Sequence, residues 1–304
     1  MSKQTVTILD GGMGRELKKR GAPFRQPEWS ALAMIEAPEA VAEVHKAFIE
    51  NGAKVITANS YALVPFHIGE TLFAKEAEQL ADRAGKVARQ AVTDMHSDAY
   101  VAGSLPPLFG SYRADLFNSE RAEEIVSPLI KGLSNHVDLW LAETQSNILE
   151  ATLIKQQVDA ITADNKPFWV SFTLEDSEET MQPCLRSGET VVAAIQAMVA
   201  LNVDAILFNC CQPEIIGDAL AVATAELKRL GAADIELGAY ANAFPPQPKD
   251  ATANAGLSII REDLTPVSYL DWADKWRSKG ATIIGGCCGI GPEHIAALSK
   301  HFSE

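Results

Sequence analysis

A chain of 304 residues, 47% of them hydrophobic, is long enough to bury a large core as one domain or two. Its formal charge of −14, from 26 basic and 40 acidic side chains, disfavours nucleic acid or an anionic membrane as partner. No apolar run nears the roughly 20 residues that span a bilayer, and five cysteines make no secreted disulfide framework, so a cytoplasmic protein is expected.

Short apolar, β-branched runs recur along the chain, separated by segments with helical spacing. The first, VTILDGG (6–12), follows an opening without a basic-plus-apolar leader. Residues 20–36 then exceed a minimal connection, and PEAVAEVHKAFIENG (38–52) reads as a helix from Pro38 to a stop at Gly52. KVITANSY (54–61) is the second strand, with an Ala-, Lys- and Glu-rich helix at 74–92 behind it. AYVAGSLPP (99–107), VDLWLAET (137–144) and PFWVSFTL (167–174) are the next three, followed by a helix at 187–202. DAILFNCC (204–211) and ELGAYAN (236–242) are the sixth and seventh, and a long connection runs over 243–265. The helix at 265–280 sets Trp272 and Trp276 one turn apart, a packing pair. TIIGGCCG (282–289) is the eighth strand, and GIGPEHI starts a helix with Pro292 in its first turn and His294 facing solvent.

Each run is apolar at its centre instead of alternating, the pattern of strands covered on both faces. Eight strands alternating with helices, without a linker or low-complexity stretch, predict a single (β/α)8 TIM-type barrel over residues 1–304. A doubly wound open sheet is the alternative. It would want G-x-G-x-x-G after the first strand, and DGGMGREL does not supply it.

In a barrel, reactive residues should gather at strand C-termini. Asp10, Asn59, Tyr61, Glu143, Asn209, Cys210, Asn242, Cys287 and Cys288 all fall there. Cysteines mark the ends of the sixth and eighth strands, which one other strand separates, so those ends can converge. Thiolates suit zinc, and catalytic zinc commonly takes three protein ligands and keeps a fourth position open. A Gly-rich turn lets two consecutive cysteines face one ion, with Gly285, Gly286 and Gly289 supplying the freedom. Period-2 alternation puts Cys210 and Cys211 on opposite faces, so one of them is the ligand. Cys184, in MQPCLRSG, reads as a bystander.

The chain resembles the homocysteine S-methyltransferase family, which includes betaine–homocysteine methyltransferase and the homocysteine module of methionine synthase. The resemblance rests on LDGGMGREL, ITANSY, GSLPP, AET, FNCC and GGCCGIGPEHI, at the ends of strands one to four, six and eight, and covers essentially the whole chain. It implies that Cys210, Cys287 and Cys288 bind Zn2+, with Cys211 an extra. It also implies that Asp10 and Glu143 hold the amino group of L-homocysteine, and that Gly11 and Gly12 offer N–H groups to its carboxylate. Tyr61 and Asn242 match residues that approach the zinc when the thiol is absent.

A free thiol has a pKa of about 8.5, and binding to zinc deprotonates it, so no side chain need act as general base. The expected reaction passes a methyl group from a small onium donor to the homocysteine thiolate, giving methionine. In methionine synthase the domain is accompanied by cobalamin and folate modules, for which 304 residues leave no room. S-methylmethionine or S-adenosylmethionine is the favoured donor, with betaine or another onium compound the alternative. Donor contacts are expected from 62–70 and 243–265. A rival reading is a barrel enzyme acting on a phosphorylated substrate at the helix N-terminus after GIGPEH, with structural cysteines. A closed structural zinc site is another. A dithiol redox centre fits poorly, because Cys287 and Cys288 are adjacent and not spaced as C-x-x-C.

Overall fold

All eight apolar runs form strands in the computed structural model, which describes residues 5–177, 182–248 and 258–303. The strands are β1 (Thr7–Ile8), β2 (Val55–Thr57), β3 (Tyr100–Leu105), β4 (Leu139–Gln145), β5 (Phe168–Phe172), β6 (Ala205–Asn209), β7 (Glu236–Tyr240) and β8 (Ala281–Ile284). Neighbours pair in parallel in the order β1-β8-β7-β6-β5-β4-β3-β2. A parallel bridge between Leu9 and Val55 joins the two ends of the sheet. Around it, Lys54 N–H donates to Ile8 O at 2.7 Å and Asp10 N–H to Val55 O at 3.0 Å. The result is a (β/α)8 TIM-type barrel.

Burial on both faces follows from two separate apolar clusters. Leu9, Val55, Ala102, Leu139, Leu141, Trp169, Leu207 and Ile283 belong to a small cluster inside the barrel. A larger one, including Ile56, Val101, Trp140, Val170, Phe208 and Ile284, packs the strands against the helices. Alternation along each strand sorts residues between the two, as the pleat requires.

The helices start where local chemistry satisfies their first N–H groups. Asn147 accepts from Glu150 N–H at 2.8 Å at the head of Ile148–Ile161, and Thr265 and Ser268 form a capping box at Pro266–Ser278. In the latter helix Trp276 is fully buried and donates to Pro213 O at 3.2 Å, while Trp272 packs under Lys275, so both are packing residues. His294 differs from expectation. It is buried and edge-on to Tyr269, with Nε2 2.9 Å from Leu264 O, because the last helix (Pro292–Ser303) lays its first turn against Pro266–Ser278. Among the described residues no helix is long and apolar enough to cross a membrane.

Candidate metal centre

Inward positions change character toward the C-terminal ends of the strands. Val55 is followed two residues on by Thr57, Ala102 by Ser104, Leu141 by Glu143, Trp169 by Ser171 and Leu207 by Asn209. The lumen is therefore apolar below and polar at its top, and the polar layer is hydrogen-bonded across strands. Ser104 donates to Glu143 at 2.6 Å, Ser171 to Asn209 at 2.8 Å, and Asn209 to the Thr144 hydroxyl at 2.8 Å. Above this layer lies a cavity lined by Asp10, Trp29, Tyr61, Tyr112, Glu143, Cys210, Phe244, Cys287 and Cys288, among others.

The sulfurs of Cys210, Cys287 and Cys288 all lie within 4.8 Å of one another, with Cys210 and Cys287 3.0 Å apart. Donors at about 2.3 Å from a tetrahedral zinc stand about 3.8 Å from each other, so small side-chain shifts suffice to fit the ion. Among the described residues this is the group of His, Cys, Asp and Glu that could hold a metal ion. Hydrogen bonds from Cys210 and Cys287 hold the Cys288 thiol well below its usual range, and nearby Arg15 adds to this. The same contacts, with burial, push Cys287 up.

Backbone conformation decides which cysteine of each pair faces the ion. Cys210 has φ +53°, a left-handed turn that swings its sulfur into the cavity directly after the inward Asn209. Cys211 is fully buried in the outer core, so the two cysteines do face opposite ways. It is the left-handed turn at Cys210 that sends Cys211 outward, where alternation from the inward Asn209 would have turned it inward. At the other pair, the glycines divide between the expected conformational freedom and close approach. Gly289 has φ +87°, whereas Gly286 is required by close approach, since a Cβ there would stand 2.1 Å from Ile290 Cγ2. Cys184 sits half-buried in a short antiparallel bridge with Thr190, away from the cavity lining.

Two carboxylates face the cavity, Asp10 buried and Glu143 half-buried. Asp10 accepts from Thr57 N–H at 2.7 Å and Thr57 Oγ1 at 3.1 Å, yet burial and the neighbouring Glu143 push its pKa to about 8. Burial likewise pushes Glu143 to about 7, against the lowering effect of the Ser104 hydrogen bond. Among the described residues, no Lys or Arg is a leading influence on either carboxylate.

The family model for homocysteine S-methyltransferase matches residues 7–302. The chain belongs to this family. It is a methyltransferase acting on homocysteine, and the cofactor is zinc, for which the three-cysteine group is a fitting donor set. Homocysteine S-methyltransferase of Escherichia coli is 28% identical, over 98% of this chain and 96% of its own length. Selenocysteine methyltransferase of Astragalus bisulcatus is 26% identical, over 98% and 93%. The metallated crystal form of the Escherichia coli homocysteine methyltransferase MmuM superposes with a TM-score of 0.77 at 28% identity, covering 98% of this chain and 97% of that one.

The remaining expected residues of this methyltransferase divide. Gly11, Gly12 and Tyr61 line the cavity, and the Tyr61 hydroxyl meets Ser111 Oγ at 2.5 Å. The Gly12 N–H, however, donates to Ile290 O at 2.9 Å, so it is already engaged within the protein. Asn242 is fully buried beside the cysteine turn, with Oδ1 accepting from Phe244 N–H at 3.2 Å and Nδ2 unpartnered. Of the expected donor segments, His67 from 62–70 and Phe244, Gln247 and Ser258 from 243–265 line the cavity, while 249–257 lies outside the described residues. Sequence reasoning missed Trp29, Thr57, Ser104 and Tyr112. Counting two residues on from Val55 and Ala102 would have found Thr57 and Ser104. Trp29 and Tyr112 stand on loops, where no periodicity points.

Proposed function

We propose that Cys210, Cys287 and Cys288 hold the zinc, that Asp10 and Glu143 hold the ammonium of L-homocysteine, and that a small onium compound donates the methyl group. The observation that carries this reading is the pairing, in one cavity, of three clustered sulfurs with two inward-facing carboxylates that have no basic partner among the described residues. A bound ammonium would supply the missing cation and draw both carboxylates to their charged forms. Gly11, at the cavity floor, is the candidate N–H donor to the substrate carboxylate, since the Gly12 N–H is engaged. Tyr61 lines the cavity, whereas Asn242 stands outside its lining and is assigned to the metal only by the family resemblance.

Zinc, when bound, supplies a deprotonated and oriented substrate thiol at neutral pH. The protein's own residues then fix both ends of homocysteine, so that its sulfur faces the donor methyl in line. The thiolate forms a bond to the methyl carbon while the carbon–heteroatom bond of the donor breaks and its electron pair stays on the departing heteroatom. The aromatic side chains of Trp29 and Tyr61 line the same cavity, a surface suited to an onium cation. S-methylmethionine and S-adenosylmethionine are the preferred donors and betaine the alternative, with methionine the product. We assign the whole of residues 1–304 to one homocysteine-binding barrel domain working in the cytoplasm. The rival phosphate site is disfavoured at Gly291, whose N–H already donates to His294 Nδ1 at 3.3 Å.

The test is a competition assay on zinc-loaded protein with L-homocysteine and all three donors, each carrying a distinguishable isotopic methyl. Labelled methionine is expected, and its mass names the donor. No methionine from protein carrying one zinc per chain would overturn the assignment of donor or acceptor.

A further inference from the structure

Behind Cys210 stands a stack of side chains that the reaction as described does not use. Tyr112, on the loop after β3, has φ +69°, a left-handed conformation that a bulky residue adopts only when its surroundings hold it there. The conformation carries its hydroxyl to 3.1 Å from Cys210 Sγ and 3.3 Å from the Cys210 carbonyl oxygen. Over the opposite part of the ring lies Arg186, its guanidinium carbon 4.9 Å from the centroid. The Arg186 side chain is 1% exposed and donates to Asp176 at 3.2 Å and to Gln247 O at 2.9 Å. Asp176 in turn accepts from Gln212 N–H at 3.1 Å and Gln247 N–H at 3.2 Å. The loops after β3, β5, β6 and β7 thus converge on one metal-ligand sulfur.

We propose that Tyr112 is a positioning residue for the metal, donating its hydroxyl hydrogen bond to the Cys210 thiolate with Arg186 stacked on its ring. The inference rests on the reading of the three cysteines as zinc ligands and is independent of the donor. Three thiolates and a substrate thiolate around one divalent ion carry excess negative charge, which an O–H donor offsets at Cys210. A cation over the ring face draws electron density from the phenol and makes it a better donor. Cys210 is thereby set apart from Cys287 and Cys288 as the ligand with the weakest charge donation.

Cobalt(II) in place of zinc gives the readout, through the thiolate-to-metal charge-transfer band. In Tyr112→Phe, which keeps the ring, the band should move to longer wavelength, and zinc retention against a chromophoric chelator should fall about tenfold. Arg186→Lys keeps the charge but loses the planar stack, and should shift the band the same way by less. The double variant should go no further than Tyr112→Phe alone, because both act through one hydrogen bond. A wild-type band and wild-type zinc retention in folded Tyr112→Phe would overturn the proposal. Should that variant not fold, an unshifted band in Arg186→Lys does the same. Absence of any thiolate band in the wild-type protein would instead count against the three-cysteine zinc site itself.

Discussion

Glu143 shows how a single side chain joins the fold to the site. It occupies the inward position above Leu139 and Leu141, and Thr144 follows it with φ +58°, where the β4–β5 register shifts. The carboxyl is thus held in a largely water-excluded mouth with a pKa of about 7 instead of the usual 4.5. A raised folded-state pKa means that the native chain holds this proton more tightly than the unfolded chain does. The resulting stability is fully present below the unfolded value and is lost as pH rises through 7, with Asp10 extending the loss toward 8. Metal-free protein should therefore become less stable between pH 5 and pH 8, and Glu143→Gln should remove part of that slope. The difference, after discounting for partial exposure, is about 2 kcal/mol, measurable by denaturant titration at each pH. Parallel slopes for the two proteins would show that Glu143 is already ionised when the site is empty.

At the scale of elements, the metal centre depends on how closely two strand-end loops approach. Gly12, between β1 and the helix Met13–Lys19, packs on the Cys287–Cys288 backbone. A Cβ there would stand 2.6 Å from Cys287 O and 2.9 Å from Cys288 Cα, and backbone atoms cannot move aside as a side chain can. Its φ of −75° suits any residue, so Gly12→Ala tests the approach alone. The variant should keep its far-ultraviolet circular dichroism yet hold zinc at least about tenfold more weakly, as a displaced ligand pair would. The motif GGCCG was legible because cysteine chemistry names its own function. That Gly12 supports it from the far end of the chain was not legible, since no local pattern reports a contact between residues 275 positions apart.

For the whole molecule, the centre ties the end of β6 to the loop after β8 across the intervening β7. A metal that binds the folded chain alone adds RT ln(1 + [metal]/Kd) to its stability, about 4 kcal/mol at a thousandfold excess over Kd. Zinc should accordingly raise the melting temperature by several degrees and a chelator should reverse it. Cys288→Ala should lose both the rise and the turnover of homocysteine. Full activity in a zinc-free Cys288→Ala protein would remove zinc from the reaction altogether.

The alternation of apolar runs and helical segments determined the barrel, because a strand buried on both faces needs an apolar centre and parallel neighbours need a crossover. Cysteines at the ends of the sixth and eighth strands determined the metal chemistry of the site. The roles of Asp10 and Glu143 came from the family resemblance, since an Asp before Gly-Gly or a Glu after a strand also suits a turn or a helix cap. Only the tertiary structure decided which residues join them from loops: Trp29, Tyr112 with Arg186 behind it, and the engaged Gly12 N–H. It also buried His294, which its helix position alone had left in solvent. The reason is the same in each case. Period and residue type report what a segment buries locally, whereas a hydrogen bond between loops 98 positions apart, such as Tyr112 to Cys210, exists only once the barrel has closed.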